Sequence, residues 1–355
     1  MSHYTPTSPV VSALMVTHDA EKTVRRAVES LQNQTLKNFE LVVVDAGSQD
    51  STLRLLESAA ERDMRIRVVQ ADACDRQTAL NLALDRARGT YLTVTDADGW
   101  ADQTMFADLV DAAERGRAEL VIGGFVLSIG LSGGREARAE VSSEGVAYPT
   151  QHEFRAAAWK LLSSGQLLPA GGKLFSRAFA KRCGVRFLPS SGSDHSFVTG
   201  FLADVERVVV CPGTCCHMVR RAVRQGADGA LEAHRHVEGE HGAILELFRH
   251  WGLEGDAASM AALQDRYIEQ LVDCIERVCG RGSRVSSADQ RRIVSQTIDT
   301  DRAQLAASVA HPRGNAARAM LAPIRSHNAS LVCVQTRLMS LLRPGIADVA
   351  PDFFV

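Results

Sequence analysis

The sequence predicts an α/β fold: a mostly parallel sheet with helices on both faces, followed by a helical C-terminal region. Three observations predict it. Short, nearly all-apolar runs alternate with helical-period segments through the first hundred residues, the rhythm of repeated βαβ units. Three of those runs end in polar or acidic residues, Thr17-His18-Asp19, Asp45-Ala46-Gly47-Ser48 and Asp96-Ala97-Asp98-Gly99, at the edge where such sheets gather ligands. From about Gly226 the pattern changes to apolar residues at helical spacing, with few motif-like residues.

Taken in order, Val10 to Val16 reads as a strand buried on both faces. The polar trio after it offers helix-start residues, and Ala20 to Gln34 reads as a helix with Val24, Ala27, Val28 and Leu31 inward. Phe39 to Val44 is the second strand, Ser51 to Arg62 the second helix and Ile66 to Gln70 the third strand. Thr78 to Ala87 is a helix closed by Gly89, and Tyr91 to Thr95 the fourth strand. A helix over Met105 to Glu114 and a strand over Leu120 to Ser128 follow. Gly130 to Glu144 is glycine-rich and charged, a loop or irregular hairpin. Phe154 to Leu162 and Ser176 to Arg182 are helices around a loop at Ser164 to Lys173; Asp194 to Ala203 is a helix and Arg207 to Cys211 a strand. In the tail, Val237, His241, Ile244, Leu245, Phe248 and Trp251 share a helix face, as do Leu263, Tyr267, Leu271, Cys274, Ile275 and Val278. Ala303 to Val309 and Ala316 to Leu342 continue in the same manner, and no internal repeat is present.

Composition excludes several classes. At 355 residues and 45% hydrophobic, the chain holds one sizeable core with an appendage, or two modest domains. A formal net charge of -2 supplies no global field to draw nucleic acid. The eight cysteines contain no CxxC pair, so they form no disulfide framework, and the cluster Cys211, Cys215, Cys216 and His217 lacks the spaced ligand pairs of structural zinc. Reduced thiols in a cytoplasmic protein are the expectation. The first residues lack the basic region and cleavage site of a signal peptide, and no apolar run approaches the ~18 residues of a spanning helix; attachment to a membrane surface stays open.

Asp96-Ala97-Asp98 carries the clearest chemistry. Two carboxylates one residue apart, after a buried strand, both reach a common point if the strand ends in a turn. Hard divalent cations such as Mg²⁺ or Mn²⁺ take oxygen ligands and share them with a diphosphate, whose charge they neutralise as it leaves. A bare DxD also occurs as a solvated acidic turn. Its place after the fourth strand favours the metal reading.

Three segments, VSALMVTHDAEKTVRRAVESLQNQTLKNFELVVVDAGSQDST, DRQTALNLALDRARGTYLTVTDADG and GGKLFSRAFAKRCGVRF followed by SGSDHSF, resemble in this order the GT-A glycosyltransferases of family 2. The resemblance covers roughly Val10 to Val219. It implies a GT-A catalytic domain over 1–222, with a nucleotide-sugar half at about 9–128 and an acceptor half at about 129–222, then a helical region at 223–355. It implies transfer of a sugar, with inversion, from a nucleotide-diphosphate sugar, a UDP-sugar foremost. The acceptor is a hydroxyl on a glycan, lipid carrier, peptide or small natural product.

Carried over residue by residue, the resemblance sets Thr17 and Asp45 near the donor base, Arg76 over the nucleotide and diphosphate, Asp96 near ribose and metal, and Asp98 as the direct metal ligand. A late histidine ligates metal in some relatives, which makes His217 a candidate ligand. Asp194 matches the acid before a helix that takes the acceptor's proton, a task an alcohol nucleophile requires; its competing role is to cap that helix. The chain departs from the pattern at Ala46, Gly99 and Ser193, where acids are usual. Those departures motivate a second reading, a catalytically silent nucleotide-sugar-binding module. Trp100 suits a sugar face or core packing, and Arg220 and Arg221 suit phosphate or solvent.

A dehydrogenase would need G-x-G-x-x-G after the first strand, where VTHDAEK stands; Gly171-Gly172-Lys173 likewise falls short of a phosphate-binding loop. The helical tail is expected to contact the acceptor, mediate self-association into a homo-oligomer, or shelter the catalytic core.

Overall fold

The structure, a computed structural model, describes residues 8–130, 136–188, 193–221, 227–280 and 283–342. Two compact units divide the chain. One comprises residues up to Ser128 with Arg138–Ala157 and Gln166–Val219; the other takes Ile129–Ala137, Ala158–Gly165 and the chain from Arg220.

The first unit is built on a sheet. Its strands and helices run β1 (Val11–Thr17), α1 (Val24–Gln32), β2 (Phe39–Ala46), α2 (Thr52–Arg62), β3 (Ile66–Ala71), α3 (Arg76–Arg86), β4 (Tyr91–Asp96), β5 (Trp100–Ala101), α4 (Met105–Gly116) and β6 (Leu120–Gly130). Then come β7 (Glu136–Val141), β8 (Val146–Tyr148), α5 (Gln151–Ser164), β9 (Lys173–Ser176), α6 (Arg177–Arg182), α7 (His195–Leu202) and β10 (Val208–Arg221). Strand order is β3-β2-β1-β4-β9-β6-β10-β5, with β7 on β6 and β8 on β10. The β3-β2-β1-β4 half is parallel, whereas β9 runs antiparallel to both β4 and β6. The prediction of an α/β fold with a mostly parallel central sheet and a helical C-terminal region therefore holds, with antiparallel pairing in the sheet's other half.

Every residue of β1 and β2 is buried, as nearly all-apolar strands covered on both faces must be. The four residues predicted to face inward from α1 are the four that do. Register then sets the site: Thr17 lies opposite Asp45, and Val16 opposite Asp96. Three strand tips thus end level at one edge.

Several boundaries differ from expectation, each for a local reason. Helix α1 begins at Val24 rather than Ala20, because Asp19 takes a left-handed conformation (φ 47°) and the Ala20 and Glu21 amides donate instead to Thr52 Oγ1 and Asp50 Oδ2. Helix α3 begins two residues early because Asp75 caps it, accepting from the Thr78 amide at 2.8 Å. The strand expected at Arg207 to Cys211 continues to Arg221, carrying Cys215, Cys216 and His217 with it. Strand β9 occupies the end of the segment read as a loop. Of the two readings of Gly130 to Glu144, a loop or an irregular hairpin, the pairing of β7 on β6 agrees with the hairpin; 131–135 lie outside the described residues, as do Ser191 and Gly192 of the third matched segment.

In the other unit, α8 (Ala227–His250), α9 (Ala257–Cys279), α10 (Ser287–Ile298), α11 (Asp301–Val309), α12 (Asn315–Arg325) and α13 (Ala329–Leu342) pack around Tyr267, Leu271, Val294, Ile298, Met320 and Val332. The helical-period segment Ala316 to Leu342 forms two helices, α12 and α13, with the left-handed residue His327 (φ 53°) between them. All eight cysteines are free thiols.

Candidate active site

The site is assembled from the strand tips outward. Asp45, 3% exposed, is held by its neighbours: Thr17 Oγ1 donates to Oδ1 at 2.9 Å, Ser48 Oγ to the same oxygen at 2.6 Å, and the Ser48 amide to Oδ2 at 3.2 Å. A serine three residues after an aspartate closes a turn on that carboxylate. The adjacent backbone is pinned as well, since the Asp19 amide donates to Ser48 Oγ and the Gln49 amide to Asp19 Oδ1. Asp45 and Thr17 therefore form one fixed polar corner.

A second cluster joins parts of the chain that the sequence keeps far apart. Arg76 stands on the first turn of α3. Its Nη2 donates to Asp96 Oδ1 at 2.8 Å and to Asp194 Oδ2 at 2.9 Å, and its Nε reaches both Asp194 oxygens at 3.2 Å. One guanidinium fork thus ties the tip of β4 to the start of α7, the bidentate geometry for which arginine is suited. Desolvation opposes its charge. The coulombic pull of Asp194, then of Asp96, outweighs that and lifts the Arg76 pKa above its ordinary value.

Asp194 sits at the N-cap position of α7, yet its side chain makes no capping hydrogen bond. It points to Arg76 instead and is buried. Packing fixes α7 there: Phe197 stacks on Phe187 with centroids 4.3 Å apart and meets Phe175 edge-on, while Phe201 meets Phe175 and Phe179.

Asp98 lies beyond the β4 tip, partly buried, with its carbonyl accepting from Arg26 Nη2. The Arg26 guanidinium also covers the Trp100 ring at 4.0 Å, and that ring stacks on His217 at 4.4 Å and 10°. Trp100 is engaged by protein on these contacts. His217 pairs with Trp100 in the β10–β5 ladder and places Nε2 3.2 Å from Asp102 Oδ1. The close passage of β10 accounts for one departure from the family pattern: a Cβ on Gly99 would lie 2.5 Å from the His217 carbonyl oxygen. Position 99 has no room for an acid while β10 stays where it is.

Lys173 is not a phosphate ligand. It is fully buried, with Nζ donating to the carbonyls of Gln166 and Pro169, so it staples the loop before β9. A small cleft opens beside Asp96, lined chiefly by Met15, Val94, Trp100, Gly172, His217 and Met218. The side chains of Arg220 and Arg221 fall outside the described residues.

Among the described residues, no three His, Cys, Asp or Glu side chains gather as a metal cage. The donor set of Asp96 and Asp98 is hard oxygen, which fits a cation of the Mg²⁺ or Mn²⁺ kind that takes one or two carboxylates and completes its shell with phosphate oxygens and water. Sequence reasoning missed Arg26, Ser48 and Asp102. Ser48 was signalled by its spacing from Asp45; Arg26 and Asp102 carried no signal.

A mostly parallel sheet with acids at its carboxyl edge and an acid opening a later helix has the architecture of GT-A-like transferases. Residues 12–165 match the family model described as Glycosyl transferase family 2, and over that segment the chain is similar to glycosyltransferases of that family. The uncharacterized glycosyltransferase EpsJ of Bacillus subtilis (strain 168) is 32% identical over 117 residues, 33% of this chain and 34% of EpsJ. The chain spans about a third of the length of the curated relatives it matches. Among solved structures, S. aureus TarS 1-349 superposes with a TM-score of 0.61 at 16% identity, over 94% of this chain and 92% of TarS; TarS has also been solved in complex with UDP-GlcNAc. Mannosyltransferase PcManGT from Pyrobaculum calidifontis, solved with GDP-Man and Mn2+, gives 0.50 at 17% identity over 96% and 89%. At such identities these structures establish the fold. No described helix is long and apolar enough to cross a membrane.

Proposed function

We propose that this chain transfers a sugar from a nucleotide-diphosphate sugar, a UDP-sugar first among them, to an acceptor hydroxyl with inversion at the anomeric carbon. One observation carries the reading: Arg76 binds Asp96 and Asp194 together, so an acid of the donor edge and an acid that opens α7 face the same point.

In this reading the corner of Thr17 and Asp45 receives the base, and Arg76 faces the diphosphate. The diphosphate offers Arg76 an anionic partner in place of Asp194, which frees that carboxylate for the acceptor. Asp194 then takes the proton from the acceptor hydroxyl as its oxygen attacks the anomeric carbon. The bond from that carbon to the diphosphate breaks on the opposite face, and the leaving oxygens carry away the electron pair. A Mg²⁺ or Mn²⁺ ion held by Asp98 and Asp96 would supply the positive charge that offsets this build-up. His217 would join that set through Nδ1, with Nε2 held by Asp102 as a carboxylate holds a ligating histidine. The acceptor stays open among glycan, lipid-linked, peptide and small-molecule hydroxyls.

Nucleoside diphosphate release from UDP-sugars, with and without EDTA, tests the proposal. Turnover lost on chelation and restored by Mn²⁺ is expected, and undiminished turnover without metal refutes the metal role. Asp194→Asn should abolish transfer while donor binding persists; normal turnover by that variant removes Asp194 from the chemistry. Donor binding with no turnover by the unmodified chain would leave the silent binding module as the function.

A further inference from the structure

The helical unit presents a surface that the catalytic reading leaves unused. Five of the eight exposed large apolar side chains among the described residues sit on two of its helices: Leu305 and Val309 on α11, and Leu331, Val334 and Leu338 on α13. On α13 these fall at i, i+3 and i+7, opposite the buried Val332, Cys333 and Thr336, so they form an outward stripe. Leu305 and Val309, one turn apart, stand opposite the buried Ala303, Ala306 and Ala307 of α11 in the same way. Helix α12 packs against both α11 and α13 and turns out Arg318, Ala319, Ala322 and Arg325. An apolar stripe pointing away from its own core contributes nothing to folding.

Charge says what covers it. Between Asp301 and Leu342 the sequence holds no Asp or Glu, while Arg313, Arg318, Arg325 and Arg337 are all exposed. The bonds that three of them make go to neutral oxygens: Arg318 to Asn315 Oδ1, Arg325 to the Leu321 carbonyl, Arg337 to Ser287 and Gln290. A second copy docking face to face would set this patch against itself, as a two-fold interface requires, and would oppose four arginines to four with Asp301 the one acid on α11 to α13 to answer them. An anionic lipid surface answers both features, because its headgroups pair with arginine and its acyl boundary takes the leucine stripe.

We propose that the α11–α13 face docks the protein on an anionic membrane surface. The proposal is independent of the catalytic chemistry. Sedimentation of the full chain with phosphatidylcholine vesicles, with and without about one-third phosphatidylserine, tests it. Binding is expected to the anionic vesicles alone and to weaken as salt rises. Near such a surface each arginine contributes about five-fold to partitioning, so the Arg318→Ala/Arg325→Ala double variant should bind roughly thirty-fold more weakly. Leu331→Glu/Leu338→Glu should abolish binding, with the circular dichroism spectrum showing that the helices persist. Three results overturn the proposal: no sedimentation with anionic vesicles, equal binding to both vesicle types, or a wild-type dimer in vesicle-free solution that Leu338→Glu dissociates, which would make the face a self-association surface. The wild-type salt titration decides the matter even if a variant misfolds.

Discussion

Replacing Arg76 by methionine removes a charge and keeps most of the side chain's bulk, so it isolates what the cation does between Asp96 and Asp194. Asp194 is 4% exposed, Asp96 15% and Arg76 itself 35%. Breaking a fully buried ion pair costs about 3–5 kcal/mol and an exposed pair about 1 or less; a guanidinium one-third in water falls between, at about 2 kcal/mol. For a domain of this size each kcal/mol lowers Tm by roughly 2–4 °C, which makes the expected loss roughly 4–8 °C. The loss arises from leaving two carboxylates facing each other without a cation. Neutralising one of them should therefore return part of it: Asp194→Asn in the Arg76→Met background is expected to recover about 1 kcal/mol, whereas Asp194→Asn alone costs stability. Urea unfolding of the four proteins gives the coupling energy directly. Additive single effects, with coupling below about 0.5 kcal/mol, would refute the claim that one guanidinium serves both acids. They would also remove the observation on which the catalytic reading rests.

Other consequences follow from neighbouring residues. With UDP and Mn²⁺ at about a hundred times Kd, binding stabilises the native state by about 2.7 kcal/mol; Asp98→Asn should lose the manganese-dependent share in a thermal-shift assay while UDP alone still binds. Gly99→Asp restores the acid usual at that position, but its Cβ meets the His217 carbonyl, so a loss of roughly 1–3 kcal/mol with no gain in turnover is expected, and a more active variant would show that β10 yields. Glu40 is buried at the far end of β2; desolvation raises its pKa, but Ser12, the Arg88 amide, Arg67 and Arg88 together hold it below the ordinary value. A depressed carboxylate stabilises the fold above its unfolded-state pKa and loses that contribution as pH falls through the folded one. Glu40→Gln should therefore cost about 1–2 kcal/mol at pH 7, a gap that closes on acidification, and a gap independent of pH would contradict it.

The fold was legible where burial and periodicity coincide. Strands β1 and β2 are covered on both faces, so their sequences are apolar but for the bonded pair Ser12 and Glu40 and the tip residues Thr17 and Asp45, and their limits hold to within about two residues. The face of α1 was read without error for the same reason. Legibility failed where hydrogen bonds rather than apolar pattern decide the ending. Nothing in Ala20-Glu21-Lys22-Thr23 forbids a helix; it is Thr52 and Asp50, some thirty residues on, that draw those amides away. Strand β5 is two residues long and exists because β10 passes alongside it. A two-residue ladder has no periodicity to detect.

The site divides along the same line. Thr17, Asp45 and Asp96 end adjacent strands, and parallel register alone brings such residues level, so their common edge could be read from the order of the strands. The bond from Arg76 to Asp194 spans 118 positions, and no spacing rule connects a helix N-terminus in the first hundred residues to another near residue 194. Only family resemblance put the two in one pocket, and it gave them separate tasks. Their contact changes what those tasks require. In the proposed mechanism the guanidinium that holds both Asp194 oxygens competes with the acceptor hydroxyl for that carboxylate, and the donor's diphosphate competes for the guanidinium. On that proposal the donor binds before the acceptor, because its diphosphate frees the carboxylate that the acceptor hydroxyl needs; product-inhibition kinetics showing random binding would refute it.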